Sequence, residues 1–167
     1  GFIHVDSEPG RGTTFCVYLP RQKTSPPAGV QPIRLQQPLE KGHETILLVE
    51  DEQAILSMAS KMLEQFGYHV MAHTKPKDAI TAASHHQANI DLLITDVIMP
   101  EMNGPMLEEA IRVHFPKIKC LFMSGYTDNV IAHHGVLDEG VNFIQKPFFM
   151  DELAAKVRAV LDQKREN

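Results

Sequence analysis

Acidic side chains stand where two apolar runs stop. Thr45-Ile46-Leu47-Leu48-Val49 leads into Glu50-Asp51-Glu52, and Leu92-Leu93-Ile94-Thr95 leads into Asp96, after which Met99-Pro100 and Asn103-Gly104 turn the chain. Two more runs end in polar groups, Cys120-Leu121-Phe122-Met123 in Ser124 and Val141-Asn142-Phe143-Ile144 in Lys146-Pro147. A lone Asp after a strand is ordinary turn chemistry, so the meaning of Asp96 depends on whether these four ends share one edge. If they do, Asp51 and Asp96 can share a cation, and three carboxylates so close repel one another without one. Mg²⁺ suits such a site. It prefers oxygen ligands and keeps several waters, so two carboxylates, a backbone carbonyl near Ile98 and a phosphoryl oxygen suffice.

The intervening segments have helical periods. Ile55, Met58, Ala59, Met62, Leu63 and Phe66 recur at helical spacing until Gly67, and a second strand over Tyr68 to His73 precedes Pro76 and the stripe Ala79, Ile80, Ala83. Gly104-Pro105 opens a helix with Leu107, Ala110, Ile111 and His114 on one face. Thr127 caps another, carrying Val130, Ile131, His134 and Leu137, which Gly140 ends. The last helix begins near Phe149, has Asp151 and Glu152 in its first turn, and buries Leu153, Val157, Val160 and Leu161. Five strands alternating with five helices predict an α/β fold, a flavodoxin-like, doubly wound, five-stranded parallel sheet in the order 2-1-3-4-5. In that order strands 1, 3, 4 and 5 end side by side, and neighbouring strands lie only about 4.8 Å apart. Glu50, Asp51, Asp96, Ser124 and Lys146 then surround one crevice.

Three regions are expected along the chain. Residues 1–20 read as a hairpin, Phe2 to Val5 and Thr13 to Leu19 around Glu8-Pro9-Gly10-Arg11-Gly12, too small to stand alone. Residues 21–43, with Pro26, Pro27, Pro32 and Pro38, read as a Pro-rich linker. Residues 44–167 hold the alternating elements. The 43% hydrophobic content of the 167 residues excludes a wholly disordered chain, and a formal charge of -5 argues against a nucleic-acid surface. No apolar run approaches the roughly 18 residues of a membrane span, so no membrane contact is expected of this segment. Cys16 and Cys120 make no disulfide framework or metal spacing, which fits a reducing cytoplasm. The basic residues near the end, Lys156, Arg158, Lys164 and Arg165, read as a solvated helix face.

Val49-Glu50-Asp51-Glu52, Asp96-Val97-Ile98-Met99-Pro100, Met123-Ser124-Gly125 and Lys146-Pro147-Phe148 resemble the motifs of response-regulator receiver domains, over residues 45 to 165. The resemblance implies that Asp96 is the phosphoacceptor, Asp51 a direct Mg²⁺ ligand and Glu50 the holder of metal-bound water. It also implies that Ser124 hydrogen-bonds the phosphoryl group, that Lys146 pairs with it, and that Phe143 is an aromatic switch. The donor is then a phosphohistidine, and none of the nine histidines here suits that role; His85-His86 and His133-His134 are neighbours that point apart on predicted helices. Gly1 to Phe15 resembles the last glycine box and closing strands of a histidine kinase's ATP-binding domain. Together the two resemblances describe the C-terminal part of a hybrid sensor histidine kinase, working in a phosphorelay with the parent kinase core or a histidine phosphotransfer protein. Its receiver catalyses its own phosphorylation, and the parent protein is expected to be membrane-anchored upstream. Two alternatives lack residues. A dehalogenase-type phosphatase needs a second Asp where Ile98 stands, and a flavodoxin needs a phosphate loop where Glu50-Asp51-Glu52 would repel phosphate.

Overall fold

The computed structural model describes residues 1–20, 41–86, 88–125 and 141–163. The chain divides into two compact units, Gly1–Gln36 and Gln37–Asn167. The first contains a hairpin of β1 (Phe2–Glu8) and β2 (Gly12–Tyr18), paired antiparallel with Phe2 opposite Tyr18 and Glu8 opposite Gly12. Its turn is tighter than expected, because Gly10 and Gly12 adopt φ of 79° and 91° and Arg11 N–H donates to the Glu8 carbonyl at 3.0 Å. Strand alternation puts Ile3, Val5, Phe15 and Val17 on one face, while Phe2 and Tyr18 stack on the other at 4.4 Å between ring centroids.

The second unit is built on β3 (Thr45–Val49), β4 (His69–His73), β5 (Leu92–Asp96), β6 (Lys119–Ser124) and β7 (Phe143–Gln145). They form one parallel sheet in the order β4-β3-β5-β6-β7, which is the expected 2-1-3-4-5. The described helices are α1 (Gln53–Gln65), α2 (Pro76–His85), α3 (Gly104–Arg112) and α4 (Met150–Asp162). The helix expected after Thr127 lies outside the described residues, as do His133, His134, Lys164 and Arg165.

Strand alternation makes two cores. Ile46, Leu48, Leu92, Ile94, Leu121 and Met123 face α1 and α4, where they meet Leu56, Ala59, Leu63, Leu153, Val157 and Val160. Leu47, Val49, Leu93, Cys120 and Phe122 face α2 and α3, where they meet Ala79, Ala83, Leu107 and Ile111. Each fully buried aliphatic side chain stabilises the fold by roughly 1.5–3 kcal/mol relative to exposure. Three expected positions are corrected. Leu56 turns inward on α1 and Met58 outward, and His114 is exposed beyond the end of α3. Arg158 is no solvated charge, since it bonds Glu44 at 2.8 Å and Asp162 at 2.9 Å.

Among the described residues, packing extends ahead of β3. Gly42 is buried, its N–H donates to the Phe66 carbonyl at 2.8 Å, and its Cα lies so near the Tyr68 ring that a Cβ would overlap it.

Candidate functional site

Each residue of the crevice is delivered by a strand end and held by backbone bonds. Beyond β3, Glu50 N–H donates to the His73 carbonyl at 3.2 Å, which ties the acidic turn to β4. At the end of β5, Val97 N–H donates to the Met123 carbonyl at 2.9 Å, so the chain follows β6 for one residue past Asp96. Lys146 N–H donates to the Ser124 carbonyl at 2.7 Å, which sets the lysine beside the end of β6. These bonds bring four of the expected side chains together.

Lys146 Nζ donates to Glu50 Oε2 and lies 3.0 Å from Asp96 Oδ2. Glu50, Asp51 and Asp96 each present a carboxylate oxygen within 4.8 Å of the others. Glu50 is buried (1% exposed), and burial pushes its carboxyl above the ordinary glutamate range, helped by the Asp96 charge and opposed by the Lys146 ammonium. Asp51 is exposed and Asp96 half-buried, so the cluster opens to solvent on one side. Three carboxylates facing one ammonium leave an excess of negative charge, and the ligand atoms they offer are all carboxylate oxygens. That donor set fits a hard divalent cation such as Mg²⁺.

The loop after Asp96 is shaped closely. Thr95 Oγ1 donates to the Asp96 carbonyl at 3.1 Å, Gly104 N–H donates to the Val97 carbonyl at 2.9 Å, and Met102 N–H donates to the Pro100 carbonyl at 2.8 Å. A Cβ on Gly104 would lie 2.5 Å from the Asp96 carbonyl oxygen and 3.1 Å from the Phe122 ring, so only glycine admits α3 this near the acid. Asn103 Oδ1 caps α3 by accepting the Met106 N–H at 2.9 Å. Glu101 holds a left-handed φ of 69° and pairs with Lys77 of α2 at 2.7 Å.

The other expected residues lie around this group. Ser124 ends β6, 2% exposed, beside the Asp96 strand, and Ile98 stands in the turn after β5 with its side chain exposed. Phe143 is at the start of β7, opposite Phe122, half-buried and packed on the α2–α3 core, away from the carboxylates. Sequence reasoning missed the direct Lys146–Glu50 bond, the close packing of Gly104 and the Glu101–Lys77 pair. For Gly104 the signal is present, a glycine where a helix starts, but its closeness to the Asp96 carbonyl comes from strand β5 and is not written in the local sequence.

Residues 46–158 match the response regulator receiver domain family. The chain belongs to that family. It is 36% identical over 169 residues to the sensor kinase CckA of Brucella abortus, a match that takes in 98% of this chain and 18% of that kinase. It is 31% identical over 117 residues to the tetrathionate response regulatory protein TtrR of Salmonella typhimurium, across 70% of this chain and 56% of that protein. This chain therefore spans about a fifth of one relative and about half of the other. Among solved structures, the receiver domain of the hybrid histidine kinase CckA superposes with a TM-score of 0.60 at 36% identity, covering 71% of this chain and 99% of that one. The Vibrio cholerae chemotaxis protein CheY4 superposes at 0.63 and 26%, with the same coverage. The protein is thus a receiver domain of two-component signalling. Its receiver is the unit that carries Glu50, Asp51, Asp96 and Lys146.

Proposed function

We propose that this receiver accepts a phosphoryl group on Asp96 from a phosphohistidine, in a phosphorelay. The observation that carries the reading is Lys146, which bonds Glu50 and Asp96 together while Asp51 stands within 4.8 Å of both, at the carboxyl edge of a parallel sheet. An Asp96 oxygen attacks phosphorus in line, the O–P bond forms as the donor's P–N bond breaks, and the imidazole leaves with the bonding pair. Lys146 follows the phosphoryl oxygens, and the Ser124 hydroxyl donates to one of them. Asp51 and Asp96 would hold Mg²⁺, with Glu50 on its water and the Ile98 carbonyl as a further ligand. Bound there, Mg²⁺ supplies positive charge against the phosphoryl oxygens.

Incubation with acetyl phosphate and Mg²⁺, followed by mass spectrometry, tests this. One phosphoryl group is expected on the wild type and none on Asp96→Asn. A phosphoryl group on another carboxylate of that variant would overturn the assignment.

The wider reading is that residues 1–20 are the end of a kinase ATP-binding domain, residues 21–43 a tether and residues 44–167 the receiver of a hybrid histidine kinase. The alignment with the sensor kinase CckA supports it, because it runs through the hairpin segment as well as the receiver. The donor is then the kinase core of the parent protein or a histidine phosphotransfer protein, in the cytoplasm. Among the described residues no helix is long and apolar enough to cross a membrane.

A further inference from the structure

At the end of the receiver opposite Asp96, one guanidinium gathers three parts of the chain. Arg158, late in α4, bonds Glu44 at 2.8 Å and Asp162 at 2.9 Å, and its own side chain is only 26% exposed. Glu44 also accepts the His43 N–H on its carboxylate at 2.9 Å, and its backbone carbonyl accepts the His69 N–H at 3.0 Å. Tyr68 lies between them, 4% exposed, with Gly42 against its ring. Gly67, at φ 91°, completes the fit, since a Cβ there would come within 2.6 Å of the Gly42 carbonyl oxygen. These contacts form a clasp on the residues at Gly42, ahead of β3.

The same helix reaches the crevice. Lys146 is followed by Pro147, by Phe148, which is 6% exposed, and by Phe149, whose N–H donates to Glu152 Oε2 at 2.8 Å as α4 begins. The 13 residues of α4 span about 20 Å. Phe148, Leu153, Val157 and Tyr68 belong to one continuous core cluster, so packed side chains run from Phe148, two residues after Lys146, to the ring under Gly42. A close-packed core transmits displacement because it has no space in which to absorb it.

We propose that α4 couples the phosphoryl site to this clasp, so that phosphorylation loosens the hold on the residues at Gly42. The inference rests on the roles assigned above to Asp96 and Lys146. Lys146 bonds Glu50 and Arg158 bonds Glu44 in the same arrangement of the chain. A phosphoryl group draws Lys146 away from Glu50, and Phe148 and the start of α4 move with it. Coupling of this kind is reciprocal. Opening the clasp by mutation therefore tightens binding of a phosphoryl mimic by the same factor that the mimic loosens the clasp.

The test is amide hydrogen exchange by NMR on the whole chain with Mg²⁺, with and without beryllofluoride. Exchange at Gly42 and His69 is expected to quicken by about fivefold or more. Arg158→Ala is expected to bind beryllofluoride more tightly by a similar factor, with Arg158→Lys between it and wild type. Glu44→Gln reads the same coupling if Arg158→Ala fails to fold. Beryllofluoride bound at Asp96 with unchanged exchange at Gly42 and His69 would overturn the coupling and leave the Asp96 assignment standing. Quickening spread evenly over all amides would overturn it too, and failure to bind beryllofluoride in Mg²⁺ would overturn both.

Discussion

Asp96 acquires its chemistry from the side chains that three other segments bring to it. Lys146 lies against it at 3.0 Å, and Glu50 and Asp51 press two further negative charges on it within 4.8 Å. Asp51→Asn takes a charged ligand from the cation while Asp96 remains. Mg²⁺ titration of that variant, followed by NMR of the crevice residues, is expected to show weaker binding, and an unchanged titration would remove Asp51 from the ligand set. Gly104 is the test of backbone fit. A Cβ placed 2.5 Å from the Asp96 carbonyl must displace α3 or the acid, so Gly104→Ala is expected to cost about 1–3 kcal/mol in urea unfolding. A midpoint equal to the wild type would mean that α3 shifts freely.

At the level of elements, the four strand ends were legible because each apolar run stops at a polar residue, and strand order then placed them side by side. The faces of α1 were harder to read. Ala59 and Leu63 of the expected stripe are buried and Met62 and Phe66 pack against the same core, but Leu56, at helical spacing from Ala59 and Leu63, turns inward in place of Met58. Local periodicity cannot choose between two overlapping stripes; tertiary packing does. Arg158 was misread for a related reason, since its partner Glu44 is far away in sequence. The left-handed Glu101 left no trace in composition at all.

The α4 clasp also has a pH signature. Burial is the largest influence on Glu44 and would raise its carboxyl, but the His43 N–H and the Arg158 guanidinium together hold it below the ordinary glutamate value of about 4.3. The folded state thus resists protonating Glu44. Its contribution is present above that ordinary value and is lost as pH falls through the lowered one. Glu44→Gln is expected to cost about 1 kcal/mol or less at pH 7, with the gap to wild type closing below pH about 4. A gap that stays constant across the acid range would show that the charge of Glu44 contributes nothing.

For the whole molecule, the two compact units make a prediction about truncation. The hairpin holds only a two-stranded pairing, and the receiver has both of its cores within its own sheet and helices. Deleting residues 1–40 is expected to leave receiver unfolding unchanged. Deleting residues 1–43 removes the Gly42 N–H bond to Phe66 and uncovers Tyr68, and is expected to cost about 1–2 kcal/mol. Equal stability of the two truncations would place the start of the folded receiver after His43.

The Arg158 guanidinium has one more consequence. It joins Glu44, just ahead of the first strand of the sheet, to Asp162, the last residue of the final helix. Both ends of the receiver therefore leave from neighbouring points, at the pole remote from Asp96. A domain with adjoining ends can be spliced into a loop of another protein without stretching its host, and its natural ends can be sealed by a short linker while new ones are opened elsewhere. Circular permutants of this receiver, and insertions of it into unrelated scaffolds, should keep the carboxylate crevice facing outward and open to a donor.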